Sequence, residues 1–123
     1  MVNRQLQPQE IEVFYVLPAL RRELASCMKE EGKSQKEIAK LLGVTDAAVS
    51  QYISSKRAAA LKFNDKLKLA IKESANKIDS EMALTREIQS LLNISRQERI
   101  VCRMHAALGN VPNKCNVCFE DEQ

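Results

Sequence analysis

Three of the chain's four cysteines and its only histidine crowd together near the C-terminus, in the run CRMHAALGNVPNKCNVC. Their spacing is Cys102-x2-His105, nine residues, then Cys115-x2-Cys118. Two pairs, each separated by two residues, can present four ligands to one ion. The first pair would come from a helix turn and the second from a tight knuckle, with Asn113 and Lys114 supplying the turn before it. Three thiolates and one imidazole suit tetrahedral Zn2+, and a closed four-ligand set is a structural site. Such a clip would hold a tail that has little core of its own. Two other chemistries remain open for the same donors. An iron–sulfur cluster, normally held by four cysteines though histidine ligation is known, would make the tail a redox or iron sensor. A thiol–disulfide switch would need only Cys115 and Cys118. The expectation is one metal centre per chain, zinc first and iron–sulfur as the alternative. The lone histidine at ligand spacing beside three cysteines argues against incidental residues. Cys27 stands apart and reads as a small buried residue.

A second set of residues could do chemistry of another kind. In SQKEIAKLLGVTDAAVSQYISSKR, Ser34 to Arg57, two short helices are predicted around a tight turn. Ser34 is an N-cap, and Glu37 three residues on completes a capping box. Ile38, Ala39, Leu41 and Leu42 make an apolar face, and Gly43 can take the left-handed conformation that ends a helix. Val44 plugs the corner, and Thr45 is a second N-cap. In the second helix Ala48, Val49, Tyr52 and Ile53 face inward. Ala47, Ser50, Gln51 and Ser54 recur at i, i+3, i+4 and i+7 on the opposite side. That outer face is small and polar rather than charged. Ser and Gln can donate or accept at base edges in a major groove, and an Ala methyl can meet a thymine methyl. Lys56 and Arg57 follow where phosphate-neutralising charge is useful. The plain alternative is an ordinary helical hairpin; the placement of Ala39, Gly43, Val44, Val49 and Ile53 argues against it.

Ser34 to Arg57 resembles the helix-turn-helix of the phage-repressor (XRE, lambda-repressor-like) class. EVFYVLPALRREL before it and GVTDAAVSQYISSKR within it resemble small archaeal transcriptional regulators with a cysteine-containing C-terminal tail. The resemblance is strong over about residues 10 to 60 and weaker in the tail. It implies that the second helix is the recognition helix, with base contacts at Ala47, Ser50 and Gln51 and Asp46 near the helix start. The wider DNA-facing set is then Ser34, Gln35, Lys36, Thr45, Asp46, Ala47, Ser50, Gln51, Ser54, Lys56 and Arg57. Asp46 departs from the pattern, since many relatives carry an uncharged polar residue there. A carboxylate near phosphates is repulsive unless it accepts from a cytosine amino group or only caps the helix.

The elements that must position these residues are helical. With three Gly and three Pro in 123 residues, a many-turned β architecture is disfavoured. Residues 1 to 9 read as loose. A helix or arm is expected up to about Leu17, then a longer helix from Pro18 to about Glu31, ended by Gly32, with Leu20, Leu24 and Met28 on one face. Val13, Phe14, Tyr15 and Val16 read as core or as a dimer contact. Asn64 caps a helix bearing Leu67, Ala70, Ile71, Ser74, Ala75 and Ile78. A polar break at Asp79 and Ser80 precedes another with Leu84, Ile88, Leu91 and Leu92. These two helices could complete the core or pair with a second subunit. Ser95 with Glu98 reads as a capping box starting a helix through Leu108. The expected architecture is all-α: a lambda-repressor-like helix-turn-helix bundle (1–62), amphipathic linking or oligomerising helices (63–95) and a small metal-binding tail (96–123).

Charge is distributed unevenly. Residues 1 to 62 carry ten Lys and Arg against seven Asp and Glu, and residues 63 to 123 carry nine of each. Between Lys56 and Lys72 there are six basic residues and one acid, Asp65, beside the proposed recognition helix. No apolar run reaches the roughly 20 residues of a membrane span, and the N-terminus lacks a signal-peptide core, so a cytoplasmic protein is expected. The leading function is a sequence-specific DNA-binding transcriptional regulator, expected as a homodimer on double-stranded DNA bearing an inverted repeat. The alternative is an adaptor or antitoxin-like protein whose C-terminal helices grip a partner. An enzyme is not expected: the only chemistry offered is the CxxC, without a strand–CxxC–helix context, a phosphate loop or a second His.

Overall fold

Apolar residues at helical spacing recur from Ile11 to Val101, and the computed structural model, which describes residues 7–54 and 63–107 with side chains as far as residue 103, turns them into helices throughout. In chain order these are α1 (Pro8–Ile11), a π-helical turn (Glu12–Val16), α2 (Leu17–Glu30), α3 (Gln35–Leu42), α4 (Asp46–Ser54), α5 (Asp65–Lys77), α6 (Glu81–Gln97) and α7 (Ile100–Ala107). No strand occurs among the described residues. The all-α expectation holds. No helix among them is long and apolar enough to cross a membrane.

The N-terminal segment differs from expectation in two ways. Helix begins at Pro8, inside the stretch read as loose, because proline suits the first turn of a helix. Pro18 also does not break the chain into two pieces: α1, the π-helical turn and α2 run on without interruption. A proline inside a helix has no N–H to give and collides with the carbonyl four residues back. The π-helical turn just before it widens the spiral, the Leu17 N–H donating to the Glu12 carbonyl five residues earlier. Helix α2 then buries Ala19, Leu20, Leu24, Ala25 and Met28. It stops where Gly32 takes φ +91° and the Lys33 N–H closes back on the Met28 carbonyl at 3.1 Å.

Helix α2 is the central member, packing on α3, α4 and α5. The Asn64 side chain caps α5 by accepting from the Leu67 N–H at 3.0 Å, and Ser80 caps α6 through the Ala83 N–H at 3.1 Å. Leu67, Ile71, Ala75 and Ile78 of the α5 segment, with Leu91 and Leu92 of α6, join Leu20, Leu24 and Met28 in one buried cluster. These apolar faces therefore complete the chain's own core. Of the N-terminal apolar run, Val16 is buried, whereas Val13 and Phe14 are 55% and 59% exposed.

The capping box at Ser95 and Glu98 does not form. Helix α6 runs through Ser95 to Gln97, and the break falls at Arg99, whose φ is +55°. Ser95 is fully buried, and its hydroxyl donates to the Leu92 carbonyl at 2.8 Å, an internal bond that competes with capping. Glu98 serves elsewhere, accepting from the Asn64 side chain at 2.6 Å.

Two polar pairs tie the layers together. The Arg96 guanidinium donates twice to Glu12, Nε to Oε2 at 2.8 Å and Nη2 to Oε1 at 3.1 Å, joining α6 to the π-helical turn. Between α5 and α6, the Ser74 hydroxyl donates to the buried Glu87 carboxylate at 2.8 Å, and Arg86 Nε donates at 3.1 Å. Burial pushes the Glu87 carboxyl up, but the Ser74 and Arg86 hydrogen bonds outweigh it and hold the group below its ordinary value. A depressed carboxylate contributes stability above its unfolded value, and the contribution is lost as pH falls through the folded value. Ser74→Ala is therefore expected to cost about 1–3 kcal/mol at pH 7. The cost should shrink below pH 4.5, the ordinary value for this group. Urea unfolding at pH 7 and pH 3.5 checks both.

Candidate nucleic-acid interface

Helix α3 begins where the sequence places it. The Ser34 hydroxyl accepts from the Glu37 N–H at 3.2 Å, and the Ser34 N–H reaches the Glu37 carboxylate at 3.5 Å. Ile38, Ala39 and Leu42 are buried against the core. Gly43 then takes φ +65°, and the Val44 N–H donates to the Ala39 carbonyl at 3.0 Å. A Cβ on Gly43 would meet only Leu84 Cδ2, at an ordinary 3.9 Å. Glycine is required there for its left-handed backbone, not for room.

Thr45 caps α4, its Oγ1 accepting from the Ala48 N–H at 3.0 Å. Val49 is wholly buried, with Ala48, Tyr52 and Ile53 half-buried beside it. Asp46, Ala47, Ser50, Gln51 and Ser54 are exposed. The two faces of α4 are thus divided as the 3.6-residue period predicts. Within the exposed face the Ser54 hydroxyl is engaged, donating to the Ser50 carbonyl at 2.8 Å. Ser50 and Gln51 carry the uncharged polar groups nearest the middle of the helix.

One contact ties the two helix starts together. Gln35 Nε2, at the start of α3, donates to the Asp46 main-chain carbonyl at 2.9 Å, at the start of α4. Gln35 belongs to the expected DNA-facing set and is exposed, and its amide also ties the starts of the two helices together. The residues are eleven apart, and no local pattern announces such a pair. Asp46 lies in the first turn of α4, where a negative charge meets the positive end of the helix dipole. Lys36 is exposed on α3. Lys56 and Arg57 lie outside the described residues.

The Cys/His set is only partly within view. Cys102 is half-buried on α7, and His105 follows three residues later on the same helix. The His105 side chain, with Cys115 and Cys118, lies outside the described residues. Among the described residues no group of three or more His, Cys, Asp or Glu is placed to hold a metal ion. Cys27 is half-buried on α2, and burial, aided by Glu30 and Glu23, raises its thiol above the ordinary value. That makes it a poor nucleophile.

Removing the Gln35 amide tests its positioning role. Gln35→Ala is expected to lower stability by about 0.5–1.5 kcal/mol in urea unfolding. Its affinity for a preferred DNA sequence should fall more than its affinity for random DNA, because base edges demand tighter alignment of α4 than phosphates do.

Comparison with known proteins agrees with this geometry over one segment. The Helix-turn-helix family model HTH_3 matches residues 24–63, from the middle of α2 to the residue before the α5 cap. No curated protein and no solved structure matches the chain. Residues 24–63 are thus similar to helix-turn-helix domains of this family.

Proposed function

We propose that the protein is a sequence-specific transcriptional regulator that inserts α4 into the major groove of double-stranded DNA. The observation that carries this is the exposed face of α4. Ala47, Ser50 and Gln51 are small or polar, uncharged and outward, and wholly buried Val49 seats the helix from behind. The matched helix-turn-helix family supports DNA binding by this unit. Ser34 and Thr45 expose the starts of α3 and α4, where main-chain N–H groups favour phosphate, and Lys36, Lys56 and Arg57 add charge. The apolar faces of α5 and α6 are occupied by the chain's own core, which favours a regulator over an adaptor that grips a partner with those faces.

The regulator acts as a homodimer on an inverted repeat. Val13 and Phe14, exposed on the π-helical turn, support an apolar contact between subunits. Two-fold dimers of such units place recognition helices about 34 Å apart, one turn of DNA. The C-terminal tail is a metal-binding clip. Cys102 and His105 lie three residues apart on α7. With Cys115 and Cys118 they make a donor set suited to structural zinc, or to an iron–sulfur cluster that senses redox state or iron.

Gln51→Ala should weaken binding to the preferred sequence by about 1–3 kcal/mol and relax preference at one base step. Lys56→Ala should weaken binding to all sequences alike. Equal losses on preferred and random DNA for both variants would remove Gln51 from base reading. For the tail, metal content and a visible spectrum are measured on protein purified without oxygen. Colourless protein with about one zinc per chain supports the clip. Brown protein with iron and sulfide supports the sensor, and metal-free folded protein defeats both.

A further inference from the structure

The carboxylate of Asp46 is the least expected group on the groove-facing surface, and N-capping does not account for it. Capping is already done: Thr45 Oγ1 accepts the Ala48 N–H, the bond an N-cap makes. Asp46 is one residue further on, the first of α4. Its attachment to α3 runs through the main chain, since Gln35 donates to its carbonyl and not to its side chain. Among the described residues no cation or donor engages the carboxylate. It is exposed beside Ala47 and one helical turn from Ser50. An unneutralised acid on such a surface repels phosphate and every acceptor on a base edge.

We infer that Asp46 makes the operator choice at one base step, selecting cytosine. This rests on the reading of α4 as a recognition helix. A carboxylate only accepts hydrogen bonds. In the major groove guanine presents N7 and O6, both acceptors, and thymine presents O4 and a methyl group. Adenine offers its N6 donor beside the N7 acceptor. Cytosine offers its N4 amino group without an acceptor of its own alongside. Asp46 therefore gains its best bond at cytosine, is repelled by guanine and thymine, and at adenine gains the N6 donor only against the N7 acceptor beside it. Asp46 and Gln51 lie on the same helix, so α4 itself fixes the register of this step relative to the one Gln51 meets.

The test selects binding sites from random duplex DNA with the full chain, Asp46→Asn and Asp46→Ala. Helical circular dichroism and thermal melting check that each variant is folded. Wild-type protein should enrich a half-site with cytosine fixed at one step, favoured there by roughly 5- to 100-fold over the other bases. Asp46→Asn adds a donor to the acceptor and should move that step to adenine, whose N6 and N7 it can pair together. Asp46→Ala should leave the step unselective, keep the rest of the motif and bind random DNA more tightly than the wild type. One motif shared by all three proteins overturns the inference while leaving the recognition helix intact. No motif for the wild type overturns the recognition helix and the inference together.

Discussion

A left-handed residue at Gly43 governs the geometry of the outward face of α4. Helices α3 and α4 have eight and nine residues, too short to persist alone. They hold their shape by packing on α2 and on each other, and the angle between them is set in the few residues from Gly43 to Thr45. The φ of +65° turns the chain, Val44 closes the corner on Ala39, and Thr45 starts the next helix. The Gln35 amide then fastens the two helix starts together. Any L side chain at position 43 strains this turn whatever space surrounds it.

Behind the turn lies a platform. Helix α2 carries α3 and α4 on its flanks and is supported in turn by α5. The fork between Arg96 and Glu12 holds α6 against the N-terminal segment, and α7 packs on α1 and α6. Helices α3 and α4 and the helix that begins the cysteine-bearing tail thus share one core, from Ile11 to Val101. A helix proposed to read DNA needs such backing. The uncharged outer face of α4 offers little that would hold it in place, and Val49 alone on that helix is wholly buried.

Much of this was legible in the residues because its signals are local. A capping box, a glycine after an apolar run and a 3.6-residue alternation of faces each lie within a dozen residues. Each of these appears as expected, from Ser34 and Glu37 to Gly43, Thr45 and Val49. Most of the features that escaped depend on burial or on partners far away in the chain. Ser95 has the look of a cap, but burial turns its hydroxyl onto the Leu92 carbonyl, and Glu98 is drawn to Asn64, 34 residues earlier. Pro18 signals a break, yet a π-helical turn absorbs it, and Glu12 in that turn meets Arg96 across 84 residues. The exposed face of α4 was legible as a surface, whereas the internal duties of Gln35 and Ser54 were not.

The central claim is that the outward face of α4 enters the major groove. Dimethyl sulfate footprinting on a selected site tests it directly, because the reagent attacks guanine N7 in the major groove and adenine N3 in the minor groove. The full chain should protect guanine N7 positions in each half-site and leave adenine N3 reactive between them. Protection confined to adenine N3, or binding with no protection of N7, would place the helix elsewhere and contradict the account.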